Sequence, residues 1–245
     1  IMWWKFEKWK FLSNPENKHD IQLEKKLYSE LKQLGYKFND SVQFDCFTFK
    51  EKDKNVVPVL IKYIEEFKHE GLRLQYISAL GVKGFDNATE YLLVQYEKYR
   101  PPQYNQHSLN VVSQTLARIS DLRYLDRYFE FLSNKVTVDA CYLVQMLGKL
   151  KVDKAIPYLI KLLDCVAIIP NNWMGTVLEE QKYFVSQSAI ISLGKFKNIE
   201  YNKYIEKFLN PELLNWITYE ESKDSKILLK STYREYKKLA REATE

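Results

Sequence analysis

Four stretches of this chain align with one another, and that self-similarity constrains the fold more than any other feature. They run from Leu72 to Tyr96, Ser108 to Leu132, Val138 to Leu163 and Tyr183 to Leu209. Each holds a leucine followed by a small residue: Leu80-Gly81, Leu116-Ala117, Leu147-Gly148 and Leu193-Gly194. These anchor leucines lie 36, 31 and 46 residues apart. Twelve residues after each anchor stands a large side chain: Leu92, Tyr128, Leu159 and Ile205. Periods of this size belong to stacks of helix pairs, in which each unit buries its apolar face only against its neighbours.

Local patterning agrees with helices. Tyr142, Leu143, Met146, Leu147 and Leu150 recur at three- and four-residue steps and share one helical face. Gly148 then falls where a left-handed residue ends many helices. Asp153 is placed to cap the next helix, and Pro157 suits its first turn. Ile156, Leu159, Ile160 and Leu163 form the second stripe. Only 7 glycines and 7 prolines occur in 245 residues, few for an all-β chain rich in tight turns.

These units resemble HEAT repeats, most closely the short HEAT-like repeats of the phycobilisome-lyase type. The resemblance rests on Leu72-Arg73 with Ala79-Leu80-Gly81, on Leu116 to Asp121, and on Leu147-Gly148-Lys149 with Ala155-Ile156-Pro157-Tyr158-Leu159. It covers roughly residues 55–210, and Val57-Pro58-Val59-Leu60 adds a further second-helix match. It implies an all-α fold: a right-handed α-α superhelix, a HEAT-like solenoid of about five to six helix pairs. Residues 1–55 are then an N-terminal helical cap with an irregular segment, 56–210 the array and 211–245 C-terminal capping helices. One departure matters. The arginine expected early in each first helix is present only as Arg73, with Leu109, Ala140 and Ser186 in the equivalent places. The ladder of Asp–Arg pairs found in regular arrays is therefore absent, which leaves stacking to apolar packing.

Outside the repeats, Leu23, Leu27, Leu31 and Leu34 predict an amphipathic helix ending at Gly35. Val42 to Phe49 reads as a short strand or as part of a helix. The start, with Trp3, Trp4 and Trp9 among lysines, reads as a helix covering the array or as a membrane-surface segment. Met2 reads as the natural first residue, with Ile1 an addition before it. Leu213, Leu214, Trp216 and Ile217 can pack on the last unit. An insertion at about 166–180 stretches the last period, and its Trp173 reads either as a binding contact or as a cover for the stack.

Catalytic signatures are missing. His19, His69 and His107 are far apart, and neither an HExxH nor a Cys–His zinc spacing occurs. No GxSxG, Walker or GxGxxG motif is present, and the paired acids Glu65-Glu66, Glu179-Glu180 and Glu220-Glu221 read as solvated helix faces. No catalytic residue, metal or cofactor is assigned. Cys46, Cys141 and Cys165 make an odd number with no CxxC, which points to a reducing cytoplasm. The net charge of +5 comes from interspersed signs, weak for a nucleic-acid binder.

The repeat phase also ranks binding residues. Eleven residues after the anchors stand Tyr91, Arg127, Tyr158 and Tyr204. Seven after stand Asn87, Arg123, Lys154 and Glu200, and fourteen after stand Val94, Glu130, Lys161 and Lys207. The resemblance places second helices on the concave side, so Tyr91, Arg123, Arg127, Lys154, Tyr158, Lys161 and Tyr204 would line a groove of tyrosines and basic residues. The expected function is a non-catalytic scaffold or adaptor for a protein partner, with a single dedicated partner as in HEAT-like immunity proteins of bacteria. Two alternatives stand beside it. A DNA-binding protein like the HEAT-like glycosylases would set Arg123, Arg127, Lys154 and Lys161 on phosphates. A bilin-lyase-like modifying protein follows from the repeat subtype alone.

Overall fold

The computed structural model describes residue 14 and residues 17–40, 43–44, 47–100, 105–133, 136–167, 183–214, 217 and 223–245. The tryptophan-rich start, Cys46, Trp216 and the loop bearing Trp173 lie outside them. The described residues form eleven α-helices and no strand. In chain order these are α1 (Lys18–Gln33), α2 (Val57–Glu66), α3 (Glu70–Ala79), α4 (Thr89–Tyr99), α5 (Gln106–Ile119) and α6 (Leu125–Ser133). There follow α7 (Ala140–Lys149), α8 (Ile156–Leu162), α9 (Phe184–Lys195), α10 (Asn202–Ile205) and α11 (Lys223–Thr244). Among them no helix is long and apolar enough to cross a membrane.

The four aligned segments fold in the same way, residue for residue. Each anchor leucine is buried near the end of a first helix, Leu80, Leu116 and Leu147 at 0% exposure and Leu193 at 1%. The residue four further on takes a left-handed backbone in every unit: Gly84 (φ 90), Ser120 (φ 61), Lys151 (φ 51) and Lys197 (φ 51). A single 3-10 turn begins two residues later, at Asp86, Leu122, Asp153 and Ile199. The second helix starts three residues after that, at Thr89, Leu125, Ile156 and Asn202. The large side chains Leu92, Tyr128, Leu159 and Ile205 are all fully buried.

Two local expectations need correction. Gly148 does not end its helix in a left-handed conformation, because Lys151 takes that role. Asp153 caps nothing with its side chain, since it opens the 3-10 turn instead. Pro157 does occupy the first turn of α8, as Pro58 does in α2, where a missing N–H leaves no bond unmade.

The first helices pack in sequence, α3 on α5, α5 on α7, α7 on α9, and α9 on α11. Small residues set the closeness of this row. A Cβ on Gly148 would lie 2.3 Å from Ser192 Cβ and 2.5 Å from Ser192 Cα. One on Gly194 would lie 2.7 Å from Ala243. These glycines therefore serve close helix contact, not termination. Side-chain hydroxyls bond across the row to backbone carbonyls, Ser113 to Asp139 and Ser192 to Val144 at 2.9 Å each.

Between α1 and α2 the described residues include no strand, and the 3-10 turn Glu51–Val56 leads into α2. Phe38, Phe44, Phe47 and Phe49 gather with Tyr36 in edge-on contacts 4.9–6.4 Å between centroids. Phe44 also meets Tyr76 of α3 at 4.7 Å. Aromatic packing of this density substitutes for the helix-on-helix contact that the regular units make. Asp20 of α1 accepts the backbone N–H groups of Lys68 and His69 at 3.1 and 2.7 Å, tying α1 to the entry of α3. Burial raises its pKa, but the bonds from His19, Lys68 and His69 outweigh that and hold the carboxyl below its ordinary range.

Candidate binding faces

The residues predicted to line a groove belong to the second helices and the turns before them. Tyr91 lies on α4, Arg123 before α6, Arg127 on α6, Lys154 before α8, Tyr158 and Lys161 on α8, and Tyr204 on α10. Several are already engaged within the chain. Tyr91 donates its hydroxyl to Glu65 of α2 at 2.6 Å, and Gln95 adds a bond to the same carboxylate. Arg127 is paired with Glu97 of α4 and, at 3.5 Å, with Glu130. Arg123 clasps the buried Asp121 through two nitrogens at 2.9 and 2.7 Å and reaches the Asp86 carbonyl at 3.2 Å. That guanidinium, followed by the Arg123 N–H, holds the Asp121 carboxyl below its usual range despite burial.

These contacts form a ladder in place of the missing Asp–Arg one. An acid sits eight residues past the first residue of α2, α4 and α8, as Glu65, Glu97 and Asp164. Each meets a donor from the next second helix or just beyond it: Tyr91, Arg127 and Lys207, the last at 2.6 Å. At the remaining step α6 has Ser133 in the acid's place, and Phe129 stacks on Tyr158 instead, 4.3 Å between centroids and 7° between planes. The sequence carried this signal in its phase, but each rung joins residues a full repeat apart.

What remains open on this face is narrower than the sequence implied. Lys154 and Lys161 are exposed and have no ion-pair partner among the described residues. Tyr158 and Tyr204 are half-buried, and Val94 is 57% exposed. Arg123 and Arg127, half of the predicted basic patch, are neutralised by carboxylates of their own chain.

The first-helix row carries a different surface. A cleft of about 590 Å³ opens between the ends of α5 and α7, lined by Lys83, Arg118, Lys149, Ala117, Met146 and Leu150 among others. A second, of about 370 Å³, lies between α3 and the aromatic segment and shares Arg118.

No group of three or more His, Cys, Asp or Glu gathers to hold a metal among the described residues. Burial pushes the Cys141 thiol up to about 12 and the Cys165 thiol to about 11, so both stay protonated and unreactive at neutral pH. No model of a known protein family and no curated protein matches the chain.

Proposed function

We infer that the chain is a non-catalytic binding scaffold, a HEAT-like stack curved as a right-handed superhelix, and that it recognises a protein partner. The observation that carries this reading is the common phase of the four units. Left-handed residue, 3-10 turn and second helix recur at fixed distances from Leu80, Leu116, Leu147 and Leu193. Such a stack presents equivalent side chains in rows, the form of surface that solenoids use for recognition.

On the second-helix face the recognising groups are Tyr158, Tyr204, Lys154 and Lys161. Tyr91, Arg123 and Arg127 hold the face together through Glu65, Asp121 and Glu97. A protein fits this face better than nucleic acid does. Two unpaired lysines release few counterions from a phosphate backbone, whereas half-buried tyrosines act as anchors in protein interfaces.

The test is crosslinking in lysate of the source cells, with wild type compared to Tyr158→Ala/Lys161→Glu. The reading expects a stoichiometric protein adduct that the variant loses. An adduct unchanged in the variant, or recovery of nucleic acid alone, would overturn it.

A further inference from the structure

The first-helix row closes through small residues at the position after each anchor leucine. Gly148 lets α9 approach α7, and Gly194 lets α11 approach α9. A Cβ on Gly81 would come 3.4 Å from Thr115 Cα and 3.1 Å from the Arg118 stem. At the α5–α7 step that position is Ala117, and Ala117 lines the cleft of about 590 Å³. The row opens at this step, and a smaller cleft of about 370 Å³ opens beside Gly81 at the α3–α5 step.

Three cations ring this opening, Lys83 from the turn after α3, Arg118 at the end of α5 and Lys149 at the end of α7. All three are exposed, and among the described residues none has an ion-pair partner. Among the described residues Arg118 makes one long bond, to Ser78 Oγ at 3.5 Å. Basic residues at helix C-termini are favoured by the helix dipole, so their presence alone says little. The dipole does not account for the composition around them. None of the ten lining residues is acidic. On the second-helix face, by contrast, three of the predicted residues meet a carboxylate of the same chain.

The floor between the cations is apolar. Met146 is buried, Ala117 is half-buried, and Leu150 keeps 37% of its surface exposed at the lip. Gln114 and Gln145 add amide groups at the sides. An apolar seat edged by three unpaired cations matches a short peptide that places a hydrophobic side chain between carboxylates. It matches nucleic acid less well. Three cations neutralise few phosphates, and stacking on bases needs free ring faces. The cleft's own lining holds a single ring, Tyr142, and it is half-buried, too little to stack successive bases.

We propose that the α5–α7 cleft docks an acidic segment of a protein partner, its hydrophobic residue seated on Ala117, Met146 and Leu150 and its carboxylates paired with Lys83, Arg118 and Lys149. This site lies on the opposite helix row from the face proposed above, and its fate is read separately.

The probe is a phage-displayed library of random peptides, selected on the full chain and on Arg118→Glu/Lys149→Glu. Both substituted side chains are exposed, and thermal melts of the two proteins verify that the fold is kept. Wild type should enrich peptides with Asp or Glu on both sides of a large apolar residue. A selected peptide should bind roughly ten-fold more weakly to the cleft variant and in raised salt, since exposed charges act mainly on the association rate, which salt screens. It should bind the Tyr158→Ala/Lys161→Glu protein as well as wild type. Enrichment without acidic residues, equal affinity for the cleft variant, or no saturable enrichment would overturn the proposal. So would displacement of the peptide by a single-stranded oligothymidylate with no loss in the cleft variant.

Discussion

The two rows of helices are built on different chemistry. The first-helix row, α3, α5, α7, α9 and α11, packs through glycine, serine and alanine with backbones in near contact. The second-helix row, α2, α4, α6, α8 and α10, is laced by exposed carboxylate rungs and one aromatic stack. Close dry packing is sensitive to a single methylene, whereas an exposed ion pair contributes little and is screened by salt. The first row thus sets stability. The second row sets which side chains stand free at the surface.

Adding bulk to the first row should do the most damage. Gly148→Val would drive its new atoms into Ser192, and overpacking of this kind costs about 3 kcal/mol. In a chain of this size the midpoint of thermal unfolding should fall by roughly 6–12 °C. A melt within a degree or so of wild type would show that α7 and α9 slide apart freely and would break the comparison.

Asp139 joins the rows. It accepts the Tyr96 hydroxyl of α4 at 2.8 Å, while its own carbonyl accepts Ser113 of α5. Asp139→Ala strands the buried Tyr96 hydroxyl and should cost about 1–3 kcal/mol in a denaturant titration. Burial raises the Asp139 pKa, and the bonds from Thr137 and Tyr96 offset this only in part. A raised folded pKa means that protonation stabilises the native state. That contribution is complete below the unfolded carboxyl value and is lost as pH rises through the folded one. Asp139→Asn keeps an acceptor for Tyr96 without the charge. Its stability relative to wild type should therefore grow as pH climbs from the acid range toward neutrality. A pH-independent difference between the two would contradict the assignment.

Lys151 and Lys197 hold the left-handed position that glycine fills at Gly84. Replacing either by glycine removes a steric cost of about 1–2 kcal/mol, partly offset by the freer unfolded chain. A gain of about 0.5–1 kcal/mol is expected for each, additive because the sites are far apart. Smallest of all should be the loss of a second-row rung. Glu97→Ala removes one of the two ion pairs of Arg127, leaving Glu130 at 3.5 Å, and an exposed pair contributes about 0.2–1 kcal/mol that high salt erases. A loss matching that of Gly148→Val would invert the account of the two rows.

The periodic part of the fold was legible because burial repeats with the phase. Counting twelve residues from each anchor leucine finds Leu92, Tyr128, Leu159 and Ile205, all fully buried. Gly148 was misread because a glycine near a helix end is compatible with two roles, and only the position of α9 distinguishes them. The rungs escaped notice because Glu65 and Tyr91, or Asp164 and Lys207, are remote in sequence, and a one-dimensional charge pattern cannot pair them. For the same reason Arg127 counted as a free cation until Glu97 was placed beside it, whereas Asp121 is only two residues from Arg123 and pairs with it through the tight turn before α6. Ala117 was grouped with the glycines as a small residue after an anchor leucine, and the cleft it lines depends on how α5 and α7 sit together. The segment between α1 and α2 obeys no period. Its order comes from rings of Tyr36, Phe38, Phe44 and Phe49 meeting side-on.

Native-state hydrogen exchange tests the division of labour most directly. Amides in α5, α7 and α9 should exchange only through global unfolding, while those of α8 and α10, short helices on the laced row, should open at lower free energy. Equal protection across α7, α8, α9 and α10, or greater protection in α8 and α10, would contradict it.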